Sequence, residues 1–309
     1  MGQPLADSDT TTAKIAGLDR RARELIEAAL DPKSRSYYDR IWKQFEQFCI
    51  KFHFPASLPI SETTLLRFIS FLFDKGYAAS TICSAMSALA YFHFGQGLSD
   101  PRSRNVQQAL VGLKNLLPSS KGCDPLPLEV LNGVLDRALD VFPSAFTGIL
   151  FQAMAVLAFY ALLRVGEFTY SRHTLRREDI SWSRSCITIK FQSFKHSGGV
   201  GTIQTIPAIT KGGFCPVQLL GKYLELRGDK KGYLFVKEDG KAPSRKEFLA
   251  WMREVLSCCK TDAGNYNTHS FRAGMATHMA LRGYSTEQIK LAGRWASDAY
   301  KKYIRVAKF

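Results

Sequence analysis

The sequence is poor in the residues that build several common kinds of site. Its seven cysteines, Cys49, Cys83, Cys123, Cys186, Cys215, Cys258 and Cys259, form no CxxC pair and no zinc-type spacing, and their number is odd. That pattern fits reduced thiols in an intracellular protein, not a disulfide framework or a zinc knuckle. There is no glycine-rich phosphate loop and no cluster with the carboxylate count of a Mg²⁺ site, so no metal and no cofactor are expected. Internal repeats and low-complexity tracts are missing as well. Residues 1–13 are polar and lack the apolar core of a signal peptide, and Ala6 stands where a myristoylation signal wants Ser or Thr. Acidic residues are scarce: 27 Asp and Glu face 42 Lys and Arg, giving a formal charge of +15 and a pI near 9.5. Such an excess favours a polyanionic partner. Residues 1–121 carry 15 basic against 11 acidic side chains and the remainder 27 against 16, so the excess lies mainly in the second part.

Long apolar runs are limited to one, Ala145–Leu163. Its length alone permits a membrane span. Gln152 at its middle, Thr147 and Gly148 near its start and its many alanines favour a buried core helix instead, and no membrane association is expected.

The hydrophobic fraction of 46% over 309 residues suffices for one large or two ordinary domains. From Ser34 to Phe52 the residues Tyr38, Ile41, Trp42, Phe45, Phe48 and Phe52 recur at helical spacing. Pro55 and Pro59 end that helix. Ser61 caps a second, through Leu65, Phe68, Ile69 and Leu72 to Gly76. Ser80 starts a third, with Ile82, Met86, Leu89 and Phe92 inward, and a fourth carries Val106, Leu110, Leu113 and Leu117. Residues 1–33 then form an N-terminal arm, 34–117 a helical domain and 118–127 (PSSKGCDPLP) a linker, with the boundary near Gly122. In 128–309 the pattern predicts a helix from Leu128 to Leu139, the apolar helix, a strand pair with Ile187, Ile189 and Phe191 alternating in the first run and Ile203 and Ile206 in the second, and helices at 219–226 and 244–257. A short strand is expected at 233–236. The fold class is mainly α with a small antiparallel β-sheet.

The densest chemistry lies between Thr268 and Arg305. Thr268 is expected to cap a helix on which His269 and Arg272 fall three residues apart, on one face. An Arg fork can bind two phosphate oxygens, and an imidazole can donate to a third or move a proton. A helix whose His and Arg merely cap and solvate it has the same four residues. Beyond a second short helix come Gly293-Arg294-Trp295 and the tyrosines Tyr300 and Tyr303, which a helix from Ser297 to Ile304 would place on one side.

His269-Ser-Phe-Arg272, Gly293-Arg-Trp295 and Tyr303-Ile-Arg305 resemble the tyrosine recombinases of the phage-integrase family. Gly-Arg-Trp-x-Ser-Asp-Ala followed by Tyr-Ile-Arg is most similar to the enzymes of eukaryotic tyrosine-recombinase retroelements and crypton-like transposons. The resemblance implies a core-binding domain that clasps double-stranded DNA, followed by a tyrosine-recombinase catalytic domain. It implies that Arg164 is the family's first arginine, with Glu167 supporting it, although Leu163 stands where many members have Gly. Lys195 takes the place of the hairpin lysine, the general acid for the leaving 5′-hydroxyl. Arg164 and Arg272 would clamp the phosphate, His269 and Trp295 would bond or position it, and Tyr303 would attack to form a 3′-phosphotyrosine. Trp295 occupies a position where His is commoner, and it lies one residue closer to Tyr303 than is usual, which keeps Tyr300 as the second candidate nucleophile. Arg35, Arg40, Lys43, Arg102 and Arg104 are the candidate DNA-binding residues of the first domain, though a solvated helix face would carry the same charges. The implied activity is integration or excision of a mobile element by a synaptic tetramer in the nucleus. A catalytically silent DNA-binding derivative and a type IB topoisomerase-like activity are the alternatives. Family members often continue past the tyrosine into a helix that docks on a neighbour, so an end at Phe309 implies altered assembly or a fragment.

Overall fold

The computed structural model describes residues 7–117, 122–192, 201–209 and 213–304. The chain divides into two compact units, residues 1–121 and 122–309.

Among the described residues the first unit holds five helices. The expected arm contains α1 (Asp7–Ala28), a helix that the apolar spacing did not announce. Its apolar residues Ile15, Leu18, Leu25 and Ile26 are all exposed, so it lacks the buried stripe by which helices are recognised. Then follow α2 (Pro32–Phe52), α3 (Glu62–Asp74), α4 (Ala79–Gly95) and α5 (Arg104–Leu116). Asp31, Ser61 and Ser103 cap three of them by accepting from Lys33, Thr64 and Val106 N–H groups. Phe45, Phe48, Leu65, Phe68, Ile82, Met86, Leu89 and Val106 form the core. The helix expected from Ser80 begins instead at Ala79, with no side-chain cap.

The second unit is built around α7 (Ala145–Tyr160), whose residues from Leu150 to Phe159 are all buried. It is packed by α6 (Leu128–Val141), α9 (Pro216–Arg227) and α11 (Ser270–Leu281). Gln152 resolves its place among apolar neighbours by donating to the Leu135 carbonyl, at 2.6 Å. Among the described residues no helix is long and apolar enough to cross a membrane. Outside this centre lie the one-turn α8 (Val165–Phe168), α10 (Arg245–Cys258) and α12 (Thr286–Gly293).

Among the described residues one sheet packs into the same core, in the order β1-β2-β3 and antiparallel throughout: β1 (Ile180–Trp182), β2 (Cys186–Phe191) and β3 (Thr202–Pro207). Ile187, Ile189 and Phe191 alternate inward, while of the β3 pair Ile206 is buried and Ile203 is exposed, as odd spacing on a strand requires. β1 has no counterpart in the sequence pattern, because a three-residue strand is too short to show a period. The strand expected at 233–236 is reduced to a single bridge between Arg176 and Tyr233. There the chain is held instead by Tyr223, whose hydroxyl accepts from Val236 N–H. The second half of the linker is pinned to this unit, with Asp124 and Leu126 N–H groups donating to Asn265 and Ser270 carbonyls.

Candidate active site

Three segments bring the site together: the turn after α7, the start of α11 and the turn after α12. Two of them turn on a non-glycine residue in the left-handed region, Leu162 after α7 and Arg294 after α12. At the end of α7, Leu162 is buried in the left-handed region at φ 46°, and its N–H and that of Leu163 bond back to Phe159 and Ala158 carbonyls. A bulky residue there costs about 1–2 kcal/mol. The reversal swings the chain out of the core so that Arg164 leaves it half-buried. Glu167, one turn on and buried, accepts from the Arg164 N–H at 2.8 Å and from its Nη1 at 3.2 Å.

At α11 the expected cap is corrected. His269, not Thr268, occupies the N-cap position, and no side chain caps the helix there. The Thr268 hydroxyl is buried with no partner among the described residues, while Asn267 accepts from His269 N–H and Ser270 accepts from Asn267 N–H. His269 is exposed, yet desolvation by the packing around it and then the charges of Arg245 and Arg272 hold its pKa below the ordinary value of 6.5. Arg272 is 1% exposed and the largest fully buried side chain. Its Nη1 donates to the Leu162 carbonyl and its Nη2 to the Gly293 carbonyl, tying the other two segments to α11. Burial first, then the neighbouring charges of Arg164 and Arg294, push its pKa down, but a guanidinium stays charged at neutral pH. Its Nε is buried with no partner among the described residues.

At the third segment Gly293 ends α12 and Arg294 takes the left-handed conformation, φ 55° and ψ 47°. Trp295 then folds back: a Cβ on Gly293 would overlap its ring. The Arg272 guanidinium lies 4.1 Å from the Trp295 ring centre and 5.7 Å from that of Tyr303, and the two rings are 5.3 Å apart. A desolvated cation–π contact of this kind is worth about 2 kcal/mol.

Tyr300 lies on a 3₁₀ turn, Asp298–Lys302, and Tyr303 is the residue that closes it, in place of the α-helix expected from 297 to 304. Ser297 caps it through Ala299 N–H, and the three-residue period still puts Tyr300 and Tyr303 on one side. Their environments differ. Tyr300 is 6% exposed and its hydroxyl contacts that of Thr286 at 3.3 Å. Tyr303 is half-buried, its carbonyl accepts from Thr277, and its hydroxyl has no hydrogen bond among the described residues.

Arg164, Glu167, Arg272, Trp295 and Tyr303 are thus gathered, with His269 on the turn that opens α11. Lys195 and His196 lie outside the described residues; the strands that flank them are paired from Phe191–Thr202 downward. Lys190, on β2, is exposed opposite Ile203, and Lys211 is also outside the described residues. In the first unit Arg40, Lys43 and Arg104 are exposed and Arg35 is half-buried, while the Arg102 fork is occupied by Asp100 at 2.7 and 2.9 Å. No group of three or more His, Cys, Asp or Glu among the described residues could hold a metal ion.

Arg294 is a site residue that the sequence pattern does not single out. Its side chain is 4% exposed and its Nη2 lies 2.6 Å from the Glu167 carboxylate, closer than Arg164 does. Its Nη1 donates to Gln204 of β3 at 2.7 Å and to the Ala161 carbonyl at 3.2 Å, and its guanidinium stacks 3.8 Å from the Phe191 ring centre. The only signal was its place inside Gly-Arg-Trp.

Solved structures share this fold. The XerH site-specific recombinase bound to palindromic difH substrate aligns with a TM-score of 0.61 at 18% identity, over 86% of this chain and 73% of that one. The Tn1549 transposon integrase in complex with circular intermediate DNA aligns at 0.63 and 12%, over 91% and 92%. A lambda integrase dimer bound to a COC′ core site aligns at 0.63 and 15%, over 94% and 96%. Comparison with curated proteins finds no match. The profile of the Phage integrase family matches residues 133–308, which include every site residue gathered above, and the chain therefore belongs to that family, the tyrosine recombinases that break and rejoin DNA.

Proposed function

We propose that this recombinase cuts DNA with Tyr303, forming a 3′-phosphotyrosine, and serves the integration or excision of a mobile element. The Tyr303 oxygen attacks phosphorus, a P–O bond to the 5′-oxygen breaks, and the phenolic proton passes to the neutral His269 imidazole or to solvent. Arg164 and Arg272 balance the charge that grows on the non-bridging oxygens, Trp295 positions the phosphate, and Lys195 delivers the proton to the departing oxygen. The phosphotyrosine keeps the energy of the phosphodiester, so a second 5′-hydroxyl can reverse the step and exchange strands. Double-stranded DNA is the partner, engaged by a tetramer on two duplexes. Arg35, Arg40, Lys43, Arg102 and Arg104 contribute phosphate contacts from the first unit. The transposon origin and a nuclear location rest on the Gly-Arg-Trp-x-Ser-Asp-Ala motif and the basic charge.

The observation that carries the reading is Tyr303 set against Trp295 and the Arg272 guanidinium with its hydroxyl unengaged among the described residues, while the Tyr300 hydroxyl is buried against Thr286. Trapping a covalent protein–DNA adduct on nicked duplexes from sequence flanking the gene tests it. An adduct formed by wild type and Tyr300→Phe but lost in Tyr303→Phe is expected. Binding without any adduct would favour a silent DNA-binding protein, and relaxation of supercoils without paired sites would favour a topoisomerase.

A further inference from the structure

The site holds three arginines around one carboxylate, and the third has no role in the reaction as written. We propose that Arg294 is a positioning residue for cleavage, neutralising Glu167 so that Arg164 keeps its charge for the phosphate. The proposal rests on the reading of Arg164 as a phosphate ligand.

Glu167 is needed where it stands, because its Oε2 accepts the Arg164 N–H that starts α8, so the carboxylate cannot be dispensed with structurally. Left alone beside Arg164, it would cancel the charge that a phosphate must find. Arg294 supplies the counter-charge from the opposite side. The Arg294–Glu167 pair is the shorter and drier of the two, 2.6 Å with side chains 4% and 3% exposed, against 3.2 Å and a 24% exposed Arg164. In so dry a place each charge acts strongly on its neighbours. With Arg294 present, Arg164, Arg272, Arg294 and Glu167 sum to two positive charges, suited to a phosphate gaining negative charge in the transition state.

Two further observations fit a device for positioning. Arg294 holds a left-handed backbone conformation that costs a non-glycine residue free energy, an outlier of the kind that accumulates at functional sites. Its fork also reaches Gln204, and its plane stacks on Phe191, so the two strands that lead to the Lys195 segment are fastened to the same guanidinium. Its own carbonyl accepts from Arg164 Nη2 at 3.4 Å. One residue therefore links the turn that carries Trp295 with the first arginine and the hairpin.

The test is single-turnover cleavage of a nicked duplex at saturating DNA, with DNA affinity measured separately. Arg294→Gln is expected to slow cleavage about tenfold or more while the Kd moves less than about threefold. The double variant Arg294→Gln/Glu167→Gln removes more native bonds but restores two net positive charges, and it is expected to recover part of the lost rate. A purely structural role predicts the reverse order, so a double variant no faster than Arg294→Gln overturns the proposal. Should Arg294→Gln not fold, Arg294→Lys keeps the charge and is expected to cleave faster than Arg164→Gln; equal losses overturn the proposal. Arg164→Gln at the wild-type rate, or no adduct from wild type, would instead overturn the functional reading beneath it.

Discussion

Desolvation, then Arg245 and Arg272, all oppose protonation of the His269 imidazole. Removing one of those charges should therefore raise its pKa. Arg245→Gln is expected to move the His269 titration, followed by NMR, upward toward 6.5; an unchanged or lower midpoint would show that Arg245 does not act on it. The stability consequence has a definite sign. Since the folded pKa lies below the unfolded one, the unfolded chain binds more protons in the window just below pH 6.5, and stability falls as pH drops through it. His278 is shifted the same way, again mainly by desolvation, and adds to the effect. Thermal unfolding that shows no loss between neutral pH and the range below 6.5 would contradict this. At this scale the sequence was informative about identity but not about environment. The spacing from His269 singles out Arg272, while its near-complete burial under Trp295 comes from the turn after α12, which the sequence pattern does not place over it.

At the scale of elements, the turn after α12 is the most sensitive part of the site. Gly293 has room for no side chain because the Trp295 ring lies across it. Gly293→Ala is expected to displace the ring, cost about 1–3 kcal/mol and slow adduct formation, with tryptophan fluorescence reporting the movement. Unchanged fluorescence together with wild-type cleavage would contradict it. In the first unit a buried histidine plays the comparable part. His93 Nε2 accepts from Ile60 N–H at 3.0 Å while Nδ1 faces the Leu89 carbonyl at 2.9 Å, which requires the proton on Nδ1 and fastens the start of α3 to α4. His93→Ala leaves a buried N–H unpaired and should destabilise this unit by about 1–3 kcal/mol. Hydrogen exchange at Ile60 should accelerate; retained protection there would count against the assignment. The four-helix pattern of this unit was legible because Phe, Leu and Ile recur at three and four residues. The 3₁₀ turn under the tyrosines was not, since a three-residue spacing fits both kinds of helix.

For the whole molecule the governing quantity is charge. An excess of +15 predicts DNA affinity that falls steeply with salt. Replacing Arg40, Lys43 and Arg104 together by Gln should flatten the slope of log Kd against log salt by about 0.9 for each phosphate that is no longer neutralised. Arg102→Gln should flatten it less than any of those three, because Asp100 already occupies the Arg102 fork. Equal slopes for all variants would remove the first unit's basic residues from the interface.

The sequence by itself determined the division near Gly122, the helical cores, the buried nature of the one long apolar run and the family, since each rests on periodicity, composition or ordered short motifs within a segment. Only the tertiary structure decided what the site residues touch. That Thr268 does not cap α11, and that the Tyr300 hydroxyl is engaged while that of Tyr303 has no hydrogen bond among the described residues, are settled by side-chain geometry around neighbouring turns. The closer pairing of Glu167 with Arg294 than with Arg164 depends on residues far apart in the chain. Glu167 and Arg294 are separated by more than a hundred positions and meet because a left-handed Leu162 turns one segment outward and a left-handed Arg294 turns the other inward. Such backbone reversals at non-glycine residues leave no periodic trace, so the ion pair they create could be found only in three dimensions.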